Sequence, residues 1–403
     1  MEFVGCPDCG AIQRLADRPS GGSERCSVCR SELIRTTGRS LDAALALSLA
    51  TFALLIPANL APFLTTSALG VSRHSVLGSG AAAMWSDGWP LLAAAVGLFV
   101  VVLPLARFGL LSLVLLRLRR PGRPRWLGPA FRFSNELQIW AMPDVFLLGL
   151  WVAYERLAAT ISVSLGWGAY TFIAAALCTL FTRAVLDKRA VWRSIGDERG
   201  LPKGAASACL SCDLLVPAEH EGRACPRCGD AVSSREPRGV ARATALTLAG
   251  VLLYLPANLY PIATLPIGIT PTPYTVLEGV IDLVHNNLLG LALLVFTASF
   301  AIPFLKLLGL GYCVLSVVRR SPRRLRFKTQ VFRIVEEIGR WSMVDPFVIA
   351  CFVPVMRYNN FIYGRAEPAA PAFAAVVILT MVAARMFDPR RMWDAALAPG
   401  RPS

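Results

Sequence analysis

The sequence predicts a polytopic α-helical membrane protein made of two parallel repeats, each a small four-cysteine zinc ribbon followed by four transmembrane helices. Three observations carry that expectation. Of 403 residues, 55% are hydrophobic and 17% charged, and the mean hydropathy of +0.53 is too high for an ordinary soluble domain. Eight of the eleven cysteines form four CxxC pairs, in two sets about 200 residues apart. Long apolar runs follow each set in the same order. The boundaries read as ribbon 1 over 1–38, transmembrane domain 1 over 39–190, ribbon 2 over 203–235 and transmembrane domain 2 over 240–390.

The first set is Cys6, Cys9, Cys26 and Cys29; the second is Cys209, Cys212, Cys225 and Cys228. Each offers four thiolates, the number a closed tetrahedral metal site needs. Sixteen residues separate the inner pair of the first set and twelve that of the second, as in a zinc ribbon with two knuckles around one ion. In Cys6-Pro7-Asp8-Cys9-Gly10 and Cys225-Pro226-Arg227-Cys228-Gly229, proline fixes the turn and glycine lets backbone amides approach sulfur. About 35 residues cannot bury a stable core unaided, so metal is expected to supply folding energy. Two zinc ions per chain are the expectation; rubredoxin-like iron and a redox dithiol are the alternatives. A closed site leaves no position for substrate, so the role is structural or docking. Cys178, Cys313 and Cys351 read as small buried apolar residues.

Apolar runs long enough to span, ~20 residues each, lie at 41–62, 89–117, 136–158 and 166–186, and again at 244–262, 285–318, 338–358 and 370–387. The first run lies behind a polar, Cys-rich segment with no small-residue cleavage site after it, so it is expected to remain in the mature protein. Net charge is +15, and 37 of the 41 basic residues are Arg. They crowd the loops after the second and sixth runs, the 183–242 linker and the C-terminal tail. The loops at 63–88, 159–165, 263–284 and 359–369 carry only Arg73 and Arg365. The positive-inside rule then places both ribbons and both termini in the cytoplasm. The Arg runs abut helix ends, where orientation explains them, and no nucleic-acid partner is expected.

The repeat is legible in short motifs. Pro57-Ala58-Asn59-Leu60-Ala61-Pro62 answers Pro256-Ala257-Asn258-Leu259-Tyr260-Pro261. Pro104-Leu105-Ala106-Arg107 answers Pro303-Phe304-Leu305-Lys306, and Trp140-Ala141-Met142-Pro143-Asp144 answers Trp341-Ser342-Met343-Val344-Asp345. Asp187 and Trp192 answer Asp388 and Trp393. Four crossings per unit is an even number, so both halves enter from one side and the repeat is parallel.

Each half carries charges within its apolar runs. Arg107 lies ten residues before Arg117 and Asp144 twelve after Arg132, or ~15 and ~18 Å of helix rise from one edge. Lys306 and Asp345 repeat the geometry, and the shallower Glu136 and Glu337 could extend each network. An intramembrane charge costs ~2.5–3.5 kcal/mol, so these groups need partners or water. Arg107–Asp144 and Lys306–Asp345 are the expected pairs. Two roles stay open: a network coupling proton or substrate movement to conformational change, and a salt bridge locking two helices. Prolines beside the acids, and Pro57, Pro62, Pro256 and Pro261, are expected to open their helices locally. Asn59 and Asn258 would satisfy the freed backbone or line a cavity. His74, His220 and His285 form no constellation, and no nucleophile set, phosphate loop or paired carboxylate appears, so an enzyme is not expected.

The duplicated ribbon-plus-helices unit, the paired P-A-N-L-x-P runs and the repeated Arg107/Lys306 and Asp144/Asp345 positions resemble the paraquat-inducible protein A family of bacterial inner-membrane proteins, over nearly the whole chain. The resemblance implies a role in moving phospholipids between the inner and outer membranes of Gram-negative bacteria. It implies a periplasmic mammalian-cell-entry (MCE) domain partner that forms a hydrophobic tunnel. No MCE domain and no ATP-binding motif occur in this sequence, so the tunnel is expected on another chain and ATPase-driven systems are set apart. The rival readings are a membrane anchor or regulator that transports nothing, and a thiol-redox or enzymatic membrane protein.

Overall fold

The computed structural model describes residues 2–15, 23–35, 41–68, 71–158, 162–196, 206–267, 270–344, 347–348, 351, 357–359, 362–363 and 365–397. Ribbon 1 is two antiparallel hairpins, β1 (Glu2–Gly5) with β2 (Ile12–Leu15) and β3 (Ser23–Arg25) with β4 (Glu32–Arg35). The first helical half follows as α1 (Leu41–Leu60), strands β5 (Leu64–Ala68) and β6 (Val71–Ser75), α2 (Ser79–Ser86), α3 (Pro90–Leu118), α4 (Leu127–Leu137), α5 (Pro143–Ala158), β7 (Ser162–Leu165), α6 (Trp167–Val185) and α7 (Lys188–Ile195). Ribbon 2 pairs β8 (Ala206–Ala208) with β9 (Leu215–Pro217).

The second half repeats the order: α8 (Gly239–Leu259), β10 (Ala263–Ile267), β11 (Thr270–Tyr274), α9 (Val276–His285), α10 (Leu289–Val318), α11 (Leu325–Gly339), α12 (Ala369–Met386) and α13 (Arg390–Leu397). Before α12 come β12 (Arg357–Asn359), β13 (Ile362–Tyr363) and β14 (Arg365–Ala366). Asp187 and Asp388, read from sequence only as repeat markers, begin the last helix of each half. Asp187 accepts from the backbone amides of Arg189 and Ala190, and Asp388 from that of Arg390.

Among the described residues, six helices are long and apolar enough to cross a membrane: α1, α3, α6, α8, α10 and α12. Eight continuous spans were expected, and the third run of each half is the difference. In the first half, the expected span at 136–158 starts inside the amphipathic α4, breaks at Gln138–Met142 and resumes as the 16-residue α5. Pro143 explains the restart, because it begins a helix readily and cannot continue one. α4 and α5 together still connect the two ends of the half. α4 packs against ribbon 2, whereas β7, after α5, pairs with β5 at the far end of α1. The matching run at 338–358 falls partly outside the described residues.

Two devices recur in both halves. Leu98–Val102 and Thr297–Ala301 form single π turns immediately before Pro104 and Pro303. The amides of Leu103 and Ile302 reach back five residues, to the carbonyls of Leu98 and Thr297. The wider turn makes room for a proline that lacks an amide hydrogen and crowds the preceding carbonyl. At the end away from the ribbons, small sheets close each half: β6-β5-β7 and β11-β10-β14. Sequence reading took these segments as loops. There the end of α1 is tied to the start of α6, with Gly168 donating to the Pro62 carbonyl at 2.9 Å. Ala369 donates likewise to Pro261 at 3.2 Å.

The expected helix breaks at Pro57 and Pro256 do not form: α1 and α8 run through both prolines. Asn59 and Asn258 donate side-chain amides to the carbonyls of Leu55 and Tyr254, at 2.7 and 2.8 Å. Each asparagine thus supports a helix that its proline has weakened.

The main hydrophobic core joins the halves along α5, where Phe146 and Phe347 lie 5.2 Å apart between ring centroids. The ribbons are exchanged. Ribbon 1 packs on the second half: Asp8 pairs with Arg333 at 2.6 Å, and Arg326 and Arg390 donate to the carbonyls of Val28 and Pro7. Ribbon 2 packs on the first half, its cysteines sharing a core with Leu127, Phe131 and Trp192. Asp230 meets Arg132 at 2.9 Å. The two ribbons also touch each other, where a Cβ on Gly5 would lie 2.9 Å from that of Ala208.

Gly128 makes the second docking possible, since a Cβ there would lie 1.8 Å from the Arg227 carbonyl oxygen. Gly128→Val is therefore expected to lift ribbon 2 off α4. Hydrogen exchange over 206–232 should rise by an order of magnitude or more, ~1.4 kcal/mol per tenfold, while α1 and α6 stay protected. Unchanged exchange over 206–232 would show that the ribbon does not depend on this contact.

Candidate functional site

The two cysteine sets form as the spacing requires. Within each set the four sulfurs lie within 4.8 Å of one another, and none is in a disulfide. Cys6–Cys29 and Cys9–Cys26 are 3.5 and 3.6 Å apart; Cys209–Cys228 and Cys212–Cys225 are both 3.6 Å apart. Sulfurs ~2.3 Å from a central ion sit roughly 3.8 Å apart in a tetrahedron, so the space fits a metal.

All four knuckles share one backbone shape. The residue after the second cysteine donates to the carbonyl of the first, and Gly10, Arg30, Asp213 and Gly229 all have positive φ, from 58° to 77°. Sequence reading singled out the two glycines; Arg30 and Asp213 adopt the same conformation at a cost in strain. Crowding splits the thiols. Cys6 and Cys225 are driven far below the ordinary thiol range, chiefly by hydrogen bonds from Cys29 and Cys209. Cys9 and Cys212 are pushed far above it by the same partners. Four thiols in this space cannot all keep ordinary protonation, and a cation relieves the conflict. Ribbon 1 adds Gln13, whose Nε2 donates to Cys26 Sγ at 2.8 Å, and the Ser31 hydroxyl, 2.6 Å from Cys29 Sγ.

The second site is a groove of about 610 Å³ between the halves. It follows one stripe of α5 (Asp144, Leu147, Leu148, Trp151, Tyr154 and Glu155), with Ile173 of α6 on one side and Trp341 of the second half across it. Their spacing of three and four residues puts them on one helix face. Asp144 to Glu155 covers ~16 Å of helix rise. The groove is of ordinary ligand size and nearly all apolar, with an acid at each end.

The intramembrane charges are arranged differently from the expected pairing. Asp144 meets Arg183 of α6 at 2.5 Å, not Arg107. Arg107 is buried, donates to the Ala141 carbonyl at 3.5 Å and lies 4.7 Å from the centre of the Phe108 ring. The reason is rotation about the helix axes: sequence gives matched depth but not the azimuth that decides which basic residue faces the acid. Arg183 stands in the last turn of α6, where sequence reading counted it among orientation-setting charges. Its placement inside an apolar run, one turn before the Asp187 cap, was the available signal. Glu155, inside the same apolar run as Asp144, carried the same signal.

Lys306 is buried and donates to the Gly339 carbonyl at 3.3 Å. Asp345, its expected partner, lies outside the described residues. Glu136 does not extend a membrane network; it sits 3.4 Å from Arg132, beside the ribbon 2 contact. Glu337 pairs with Arg340 at 2.9 Å.

Two outcomes check these centres. Cys225→Ser is expected to remove one of two equivalents of metal, counted by elemental analysis of the purified chain. Asp144→Asn is expected to cost ~3–5 kcal/mol by stranding the Arg183 charge, seen as a lowered thermal midpoint. The double change Asp144→Leu, Arg183→Leu should recover most of that loss. A double variant no more stable than the single one would refute direct pairing.

The helical halves match the family described as paraquat-inducible protein A over residues 41–196 and 240–396. An Escherichia coli K12 protein named intermembrane transport protein PqiA is 29% identical over 96% of this chain and 95% of its own length. A second from the same strain, named lipophilic envelope-spanning tunnel protein A, is 28% identical over 98% of this chain and 92% of its own. A Haemophilus influenzae protein named probable intermembrane transport protein is 25% identical over 98% and 96%. No solved structure matches the chain. With both helical halves matched and relatives aligned nearly end to end, the chain is a membrane-spanning member of the paraquat-inducible protein A family.

Proposed function

We propose that this chain is the inner-membrane component of an intermembrane phospholipid-transport system. Lipid enters the groove between the halves and passes to or from a periplasmic MCE-domain tunnel on another chain. The observation that carries this reading is the groove itself: apolar, of ligand size, and lined from both halves. A cleft shared by two units changes shape when the units move against each other, which alternating access requires. The relatives' names as intermembrane transport proteins support the same direction.

The two ribbons hold zinc and face the cytoplasm, with both termini. Four thiolates in a closed set favour zinc among divalent ions, and the Arg-rich loops after α3 and α10 support that orientation. A closed tetrathiolate site supports a structural role, with each ribbon clamping the opposite half. No catalytic step is assigned.

Filling the groove tests the reading. Leu148→Trp should reduce partner-dependent lipid transfer between vesicles at least tenfold, ~1.4 kcal/mol in occupancy, while metal content and thermal midpoint stay at wild-type values. Full transfer by a folded Leu148→Trp protein would leave the chain as an anchor for the tunnel.

A further inference from the structure

We propose that the Asp144 end of the groove binds the phosphate group of a phospholipid, with Arg183 offering the phosphate its hydrogen bond and Lys188, Arg340 and Arg385 supplying the surrounding positive field. This rests on the lipid-transport reading above and names the part of the lipid that the groove recognises.

The first ground is unused hydrogen-bonding capacity. Asp144 is nine-tenths buried, and its ion pair with Arg183 uses only Oδ2 and Nη1. Among the described residues, Asp144 Oδ1 and Arg183 Nε have no hydrogen-bond partner. A buried polar atom without a partner is costly, and such sites are commonly completed by a ligand or water. Here one free donor and one free acceptor belong to a single ion pair, whose acid lines the end of the groove. A phosphodiester oxygen fits the donor. A hydroxyl or ammonium of the same headgroup fits the acceptor.

The second ground is charge. Arg107, Arg183, Arg340 and Arg385 all lie close enough to act on Lys188. The carboxylates in the same neighbourhood are Asp144, Glu336, Glu337 and Asp8, the last already paired with Arg333. Setting that pair aside, five cations against three carboxylates leave an excess of two, which one phosphodiester would halve. Lys188 begins α7, partly reached by solvent and partly packed against protein. That packing, together with the four guanidiniums, pushes its ammonium down to about 8. An anion beside it would raise that value again.

The third ground is the contrast along the groove. Beyond Asp144 the lining is apolar through Leu147, Leu148, Leu150 and Ile173, before Tyr154 and Glu155 at the far end. A charged head at one end and an apolar slot beyond it match a molecule with a phosphate head and hydrocarbon chains. Arginine is the residue suited to the head, because its planar fork meets phosphate oxygens and is weakly hydrated.

The test is calorimetric titration of the purified full chain in detergent. The probes are dioctanoyl phosphatidylglycerol, dioctanoylglycerol and inorganic phosphate. The expected result is that the phospholipid binds ~10-fold or more tightly than the diacylglycerol, one charge-assisted hydrogen bond's worth, and that inorganic phosphate binds far more weakly than either. Lys188→Gln and Arg385→Gln should each bring the preference towards parity, whereas Lys188→Arg should keep it. Metal content and thermal midpoint report folding in each variant, and Lys188→Arg carries the test if the neutral variants do not fold. Equal binding of the two lipids would overturn the phosphate site and leave the lipid groove standing. Inorganic phosphate binding as tightly as the phospholipid would make this a solute-anion site and overturn the proposal. An undiminished preference in both glutamine variants would overturn the assignment. Binding of neither lipid would remove the proposal together with the lipid reading of the groove.

Discussion

The exchange of the two ribbons is the constraint on which the rest of the molecule depends. Each ribbon is too small to hold a core of its own and is organised around four sulfurs. Each then spends its outer surface on the other half. Asp8 reaches Arg333, more than 300 residues away in sequence, and Asp230 reaches Arg132. The halves are thus held together at one end by a pair of crossed contacts, in addition to the apolar core along α5. Because both ribbons sit side by side, both halves must begin on the same side of the membrane. An odd number of crossings in the first half would be incompatible with that contact, and counting the broken α4–α5 element as a crossing keeps the number even.

That interruption also creates the groove. A continuous helix from 136 to 158 would present its polar residues, Glu136 and Asp144, along one uniform rod. Breaking it at Gln138–Met142 lets α4 lie against ribbon 2 while α5 turns its Asp144–Glu155 stripe towards the space between the halves. Asp144 then stands at the N-terminus of α5, where a carboxylate is favoured by the helix dipole. Arg183 adds a direct partner. Burying such a pair brings little net stability against an apolar equivalent. Its presence at the end of a ligand-sized cleft is better explained by what it can bind than by what it holds together.

The two halves share a scaffold. The π turns before Pro104 and Pro303, the asparagines one turn beyond Leu55 and Tyr254, and the Asp187 and Asp388 caps are near copies. Each solves a local backbone problem, and local problems have the same solution wherever the sequence repeats. Arg107 and Lys306 share burial and a carbonyl partner. The described groove, in contrast, is built on α5 of the first half, and the second half contributes Trp341 to it.

The sequence by itself determined the membrane class, the twofold repeat and the eight cysteines that could hold metal. Those features follow from composition and short-range spacing: CxxC brings two sulfurs to one turn wherever it occurs, and a 20-residue apolar run is long enough to span whatever its neighbours. Half the knuckle geometry was also legible, through Gly10 and Gly229, whereas Arg30 and Asp213 took the same conformation without the residue that advertises it. Only the tertiary structure decided that α1 and α8 continue through Pro57 and Pro256, that Asp144 faces Arg183 rather than Arg107, and that each ribbon docks on the opposite half. The physical reason is the same in all three cases. Depth along a helix is a linear quantity that residue counting measures. Which direction a side chain faces, and which surface a small domain meets, depend on rotations and contacts between segments far apart in sequence.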